Sequence, residues 1–143
     1  PVLLDMPELE RKEIGSVELV PVAAPGHPLS QLAEIRPGQA RNYLQLVLTD
    51  RSTYTEGQDF SVVSPRSWRL ADLGAKRALL IGGSGWGNMP RHLVADDIAE
   101  DRLRILDLPE GTSVDYRLSA LWRKDRLPGP ATAWLLQALE RAL

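Results

Sequence analysis

The chain has 143 residues, 17 of them basic and 19 acidic, for a formal net charge of −2. That length suits one domain with a real core, and the near-balance of charge gives no global argument for a nucleic-acid or membrane partner. The absence of cysteine removes disulfides, thiolate metal sites and a cysteine nucleophile together, as fits a reducing compartment. The longest apolar run falls far short of a membrane span, and no basic-then-apolar leader opens the chain. Pro1 in place of Met is expected of a piece processed or cut from a longer protein.

In chain order, residues 1–12 are mixed, with Val2-Leu3-Leu4 as an edge strand. Ser16–Ala24, SVELVPVAA, is rich in valine and alternates as a strand does. Pro25-Gly26-His27-Pro28-Leu29 breaks it, since two prolines and a glycine force a turn and forbid helix. His27 sits in that turn. His92 is the only other histidine and there is no H-x-x-x-H pairing, so the sequence supplies no partners for a metal or catalytic role. Gln31–Ile35 reads as a single helical turn. Tyr43–Leu48, YLQLVL, reads as a strand buried on both faces. It empties into Thr49-Asp50-Arg51-Ser52-Thr53, which reads equally as a ligand-binding strand end of an open α/β sheet or as an ordinary polar loop. Phe60–Val63 is a short strand.

The stretch from Ser67 to Pro90 carries the densest signals. Trp68–Ala71 alternates as a strand, and Asp72 supplies a side-chain oxygen to cap a helix over Leu73–Ile81. Ala75, Ala78, Leu79 and Gly82 share one face of that helix, with Lys76 and Arg77 on another. Leu73 and Leu80 lie on the basic side, which suggests a partner surface there. Gly82, Gly83 and Gly85 close the helix, Trp86–Met89 is a return strand, and Pro90 is placed as the first residue of a further helix.

A glycine cluster after an apolar run also admits a dinucleotide-binding turn at Gly83–Gly87, with Asp107 in the ribose position. Against it, the glycines are spaced G-x-G-x-G, and Asn88-Met89-Pro90 stands where the phosphate-binding helix should open. The Asp72 cap also predicts a helix, not a strand, before the glycines.

Arg91–Glu100 is a short amphipathic helix with Leu93, Val94 and Ile98 facing in, and Asp96-Asp97 and Glu100-Asp101 form a solvated face. Arg102–Leu108 alternates as a strand. Val114–Trp122 is another, placing Val114, Tyr116, Leu118, Ala120 and Trp122 on one side. Pro130 opens the last helix at its first position, with Trp134 in its core stripe.

This ordered set resembles the effector-binding domain of LysR-type transcriptional regulators over nearly the whole chain. The family's strand ending in an H-P-L turn is matched by His27-Pro28-Leu29. Its helix closing on G-x-G, with a strand and a proline after it, is matched by Gly83-Ser84-Gly85 through Pro90. Gly129-Pro130-Ala131 matches the G-P-A before the last helix. Where the family has a G-R-L-like strand start, this chain has Asp101-Arg102-Leu103 and departs in the glycine.

The resemblance implies an α/β, periplasmic-binding-protein-like (type II) fold of two lobes with a small ligand between them. Residues 1–24 would end lobe I and make the first crossover, residues 25–108 would form a complete lobe II, and residues 109–143 would return to a partial lobe I. The rest of lobe I and a winged helix-turn-helix would precede Pro1, so promoter DNA would be reached only through that absent domain. The implied protein is a cytoplasmic sensor, a homodimer or tetramer, with no enzyme activity, no cofactor, no metal and no membrane contact. Strand ends and helix starts line the cleft in this fold, which makes Thr49, Asp50, Arg51 and Ser52 the first effector-binding candidates, followed by Trp68, Asp72 and Leu73. Arg51 could pair an anionic effector through its forked donors or serve as a solvated loop arginine. RSTYTEGQDFSVVSPR replaces the long helix that many members have between lobe II strands. The other readings are a solute-binding protein, which shares the fold and normally carries an export signal, and a small α/β enzyme binding a nucleotide at Gly83–Gly87. No G-x-S-x-G and no metal-ligand cluster supports an enzyme.

Overall fold

The computed structural model describes residues 7–49, 62–111 and 113–142. The chain divides into two compact units, residues 19–114 and residues 1–18 with 115–143. The first long strand, β1, runs Leu9–Ala23, so the strand expected from Ser16 begins seven residues earlier. The segment LERKEIG has little apolar content to announce it. Its strand character comes from non-local pairing with β6 (Val114–Arg123), which periodicity cannot see. Val2–Leu4 lies outside the described residues.

In the larger unit, β1 is followed by β2 (Gln45–Leu48), β3 (Ser67–Leu70), helix α1 (Leu73–Ile81), β4 (Trp86–Pro90), helix α2 (Arg91–Ala99) and the two-residue β5 (Arg104–Ile105). The strand order is β3-β2-β4-β1-β5. β2 is parallel to β3 and β4, while β1 is antiparallel to β4 and β5, with Ala23 opposite Trp86 and Val22 opposite Ile105. Only Arg104 and Ile105 of the expected Arg102–Leu108 strand are paired. Leu103, Leu106 and Leu108 are nonetheless buried, so the apolar pattern was real and reported packing, not pairing. Phe60 and Ser61 lie outside the described residues, and Val62 and Val63 are in no strand.

Alternation along the strands sorts side chains onto two cores. Val20, Val22, Leu46 and Met89 pack with Leu80 of α1 and Val94 of α2 on one face. Ala23 and Trp86 pack with Leu29, Ile35, Ala40, Leu106 and Leu108 on the other. Two 3-10 turns, Pro28–Gln31 and Gln39–Asn42, cover this second face in place of the helical turn expected at Gln31–Ile35. Proline at the start of the first turn is tolerated because the amide it lacks would be unpaired there. β2 starts at Gln45, not Tyr43, and its last residue Leu48 is exposed, so the strand is not buried on both faces throughout.

The helix expected over Leu73–Ile81 forms with those bounds. Asp72 accepts the Ala75 amide at 2.7 Å, and Gly83 takes a φ of 78° just past the end. Its orientation corrects the expected partner surface. Leu80 and Lys76 are buried and Leu73 is half-buried, while Ala75 and Ala78 face solvent. The basic side is the inner side. On α2, which begins one residue after Pro90, Val94 is buried and Ile98 half-buried as expected, but Leu93 is exposed. The larger correction is Asp97: it is fully buried, where a solvated face was expected.

In the smaller unit, helix α3 (Pro130–Ala142) begins at Pro130 as expected. Lys12 pairs with Glu140 at 2.8 Å, and Arg11 Nε donates to Ser119 Oγ at 3.0 Å. Trp134, expected in the core, is 69% exposed, and α3 buries none of its side chains fully.

Candidate functional site

The parallel register Leu48 to Leu70 sets the carboxyl ends of β2 and β3 side by side. Thr49 N–H donates to Leu70 O at 2.7 Å, closing that edge one residue beyond β2. Two residues beyond Leu70, Asp72 caps α1 and Leu73 opens it. Three candidates, Thr49, Asp72 and Leu73, therefore come together where two parallel strands end and a helix begins. Trp68 is on β3 opposite Leu46, two residues short of this edge, and is 54% exposed. Asp50, Arg51 and Ser52 lie outside the described residues.

β4 contributes the next part. Trp86 N–H donates to Leu44 O at 3.0 Å, and its indole Nε1 donates to Ala40 O at 3.1 Å in the second core. The β2–β4 register holds only Gln45 to Trp86. Two residues on, Asn88 O accepts from Lys76 Nζ at 2.6 Å. Lys76 is only 4% exposed, and burial lowers its pKa to about 8. Sequence reasoning missed it because it grouped Ala75, Ala78, Leu79 and Gly82 on one face and set Lys76 on another. The signal was available: Lys76 falls three residues after Leu73 and four before Leu80, on the helix's true inner stripe.

The glycine cluster serves packing. A Cβ on Gly85 would stand 2.5 Å from Leu44 O, and one on Gly87 would stand 2.4 Å from Leu46 O and 3.2 Å from Lys76 Cε. These glycines let β4 run against the β2 backbone and leave room for the lysine stem. A helix, α1, precedes the turn and strand β4 follows it, the reverse of what a dinucleotide fingerprint needs. The nucleotide reading at Gly83–Gly87 is thereby set aside.

Other polar groups hold the frame. Asp97 accepts from Arg77 Nε at 2.6 Å and Nη2 at 2.8 Å, and from Arg102 Nε at 2.8 Å. The hydrogen bonds from Arg77, then those from Arg102, hold the Asp97 carboxyl below its ordinary range in spite of burial. Arg102 also pairs with Glu100. This cluster ties α1, α2 and the approach to β5. His27 Nδ1 accepts the Leu29 amide at 3.2 Å, and its ring meets Tyr43 edge-on at 5.5 Å, so the histidine of the H-P-L turn is a cap inside the second core. Desolvation lowers its pKa. Gln45 Oε1 accepts the amides of Val63 and Ser64, anchoring the segment that leads into β3. Among the described residues, no group of three or more histidines and carboxylates could hold a metal ion, and no helix is long and apolar enough to cross a membrane.

Comparison with known proteins places this geometry. The family model described as the LysR substrate binding domain matches residues 1–143. A protein named probable HTH-type transcriptional regulator YhaJ, of Escherichia coli strain K12, is 30% identical over 137 residues, covering 94% of this chain and 45% of its own length. The chain thus spans less than half the length of that curated relative. Among solved structures, the effector binding domain of QuiR in complex with shikimate aligns with a TM-score of 0.70 at 20% identity, over 96% of this chain and 66% of that one. The Synechocystis CcmR regulatory domain in complex with 2-PG aligns with a TM-score of 0.72 at 19% identity, over 99% and 69%. The fold is accordingly the α/β, type II periplasmic-binding-protein-like fold of these regulatory domains. With its whole length matched by the family model, the chain belongs to the LysR substrate-binding domain family.

Proposed function

We propose that this chain is the effector-sensing part of a LysR-type transcriptional regulator, and that it binds a small polar molecule at the carboxyl ends of β2 and β3. The observation that carries the reading is the match of the LysR substrate-binding model to residues 1–143. Residues 25–108 correspond to lobe II, and residues 1–24 and 109–143 to lobe I and its crossovers. Thr49, Asp72 and Leu73 would meet the effector at the described edge, with Asp50, Arg51 and Ser52 following Thr49 in the chain and Trp68 beside it. Asp72 already serves the Ala75 amide through its side chain and the Lys76 amide through its carbonyl. The amides left for a ligand at the start of α1 are those of Leu73 and Gly74.

In this reading the protein works in the cytoplasm as a homodimer or tetramer, reaches promoter DNA through a winged helix-turn-helix outside this sequence, and catalyses nothing. The effector acts only so far as it prefers one arrangement of the regulator over another. The bound shikimate and 2-PG in the two neighbours support an acidic metabolite as the class to try first. A thermal-shift screen of the full chain against organic acids, amino acids, sugars and nucleotides tests this. A ligand at a hundredfold excess over its Kd adds about 2.7 kcal/mol of stability. A selective shift by a small metabolite is the expected result. A shift by dinucleotides alone, or by none of these classes, contradicts it.

A further inference from the structure

The inner stripe of α1 reads Leu73, Lys76, Leu80, so a lysine occupies a position where the surrounding packing calls for leucine or methionine. An ammonium has three donors. One goes to Asn88 O at 2.6 Å, and no carboxylate among the described residues pairs with it. Asp72, one turn back on the same helix, turns Oδ1 to the Ala75 amide instead. On the neighbouring helix, the buried Asp97 is taken by Arg77 and Arg102. Burying a cation against a single neutral carbonyl is costly, and lysines are almost never buried this fully without a counter-charge. The chain also makes room for it, because any side chain on Gly87 would press on Lys76 Cε.

Its place in the fold gives that cost a use. Side chains on a helix lean towards its amino terminus, so the Lys76 stem runs towards the start of α1. Trp86 pairs with Gln45 in parallel, and a Cβ on Gly87 would meet Leu46 O, so β4 still runs beside β2 next to Asn88. Leu46 is three residues short of Thr49, which at roughly 3.3 Å per residue is about 10 Å from the strand-end edge. We propose that the Lys76 ammonium is an internal anchor for an anionic group of the effector, a carboxylate or a phosphate, which enters at this edge and supplies a counter-charge that none of the described residues provides. The inference rests on the effector-binding reading and deepens it by assigning the residue that takes the effector's acid group. The lowered pKa, near 8, agrees with an ammonium that lacks a counter-charge.

The test compares the full wild-type chain with Lys76→Met, a neutral side chain of similar length. Titration calorimetry would be run with inorganic phosphate, with a panel of mono- and dicarboxylates, and with the amides of those carboxylates. The expected result is that at least one carboxylate or phosphate binds the wild type, that its amide binds at least tenfold more weakly, and that Lys76→Met loses at least tenfold for the anion. Carboxylates and phosphate in separate titrations show which oxyanion the site takes. Should Lys76→Met fail to fold, lysine-selective NMR of the wild type serves instead: the Lys76 ammonium pKa should rise on saturation with the anion. Equal affinity in the two proteins, or an unmoved ammonium pKa, overturns the anchor while leaving effector binding in place. Binding confined to neutral or cationic compounds does the same. No binding by any class overturns the anchor and the effector reading together.

Discussion

Two charges are buried in the larger unit, and they are treated in opposite ways. Asp97 on α2 is fully enclosed and receives three charge-assisted hydrogen bonds from Arg77 and Arg102, whose own side chains remain about two-fifths exposed. Lys76 on α1 is 4% exposed and has, among the described residues, one neutral partner, the carbonyl of Asn88. The first arrangement closes on itself: a carboxylate with its acceptors filled, holding two helices and the approach to β5 in register. The second has no carboxylate partner among the described residues and sits on the inner stripe of α1 beside β4. A buried charge that is fully paired marks the frame; one without a carboxylate partner marks where something else is expected to bind.

The comparison has a backdrop in the glycines, which carry the largest expected effect. Gly85→Ala would drive a Cβ into the Leu44 carbonyl, a backbone atom that cannot step aside. The expected loss is about 3 kcal/mol in urea denaturation. A loss below about 1 kcal/mol would mean that β2 and β4 do not approach as closely as described.

Asp97→Asn should cost about 2 kcal/mol, since charged hydrogen bonds are lost while both arginines can recover water. Its acid limb gives the sign. With the folded pKa of Asp97 lowered, its contribution is fully present above the unfolded value of about 3.9 and is lost as pH falls through the folded value. Wild type and variant should therefore converge in stability on acidification. Parallel curves would show that Asp97 is not the paired charge of the frame.

Lys76 gives a slope of the same sign at the alkaline end, from burial and not from pairing. Its folded pKa of about 8 lies below the ordinary lysine value of 10.5, so between these values the unfolded chain keeps a proton that the folded chain has released. Stability should rise with pH across that window in the wild type and not in Lys76→Met. A flat wild-type curve would make Lys76 an ordinary solvated lysine.

The smallest effect concerns Asp101, the only non-glycine with positive φ among the described residues, at 54°. It stands where the resembling family has glycine, and its carboxylate takes Arg104 at 2.8 and 2.9 Å. Asp101→Ala keeps the left-handed backbone and loses the pair. Asp101→Gly relieves the backbone at the same loss. The glycine variant should be the more stable of the two by about 1 kcal/mol in thermal unfolding, and equal values would mean the backbone relaxes there.

These contrasts also show what could be read in the chain. The α1 bounds were legible because Asp72 and Gly82-Gly83 are local signals that act on their own neighbours. The edge formed by Thr49, Asp72 and Leu73 followed from the same cap and from a strand running into polar residues. The inward turn of Lys76 and the burial of Asp97 were not legible, because each depends on a partner brought in by packing: Asn88 twelve residues on, and Arg77 twenty residues back. A carboxylate next to Asp96 and close to Glu100 and Asp101 reads as solvated until the arginine that covers it is placed. Leu9 to Gly15 escaped for a related reason, since a polar strand is made by the strand it pairs with.

The most direct test of effector binding at this edge is amide NMR of the full chain, titrated with whichever small molecule raises its stability in the screen. The account predicts that the largest shifts fall on Thr49, Leu70, Leu73 and Gly74, where β2 and β3 end and α1 begins. Shifts confined to Gly82–Gly87, with the edge unmoved, would contradict it.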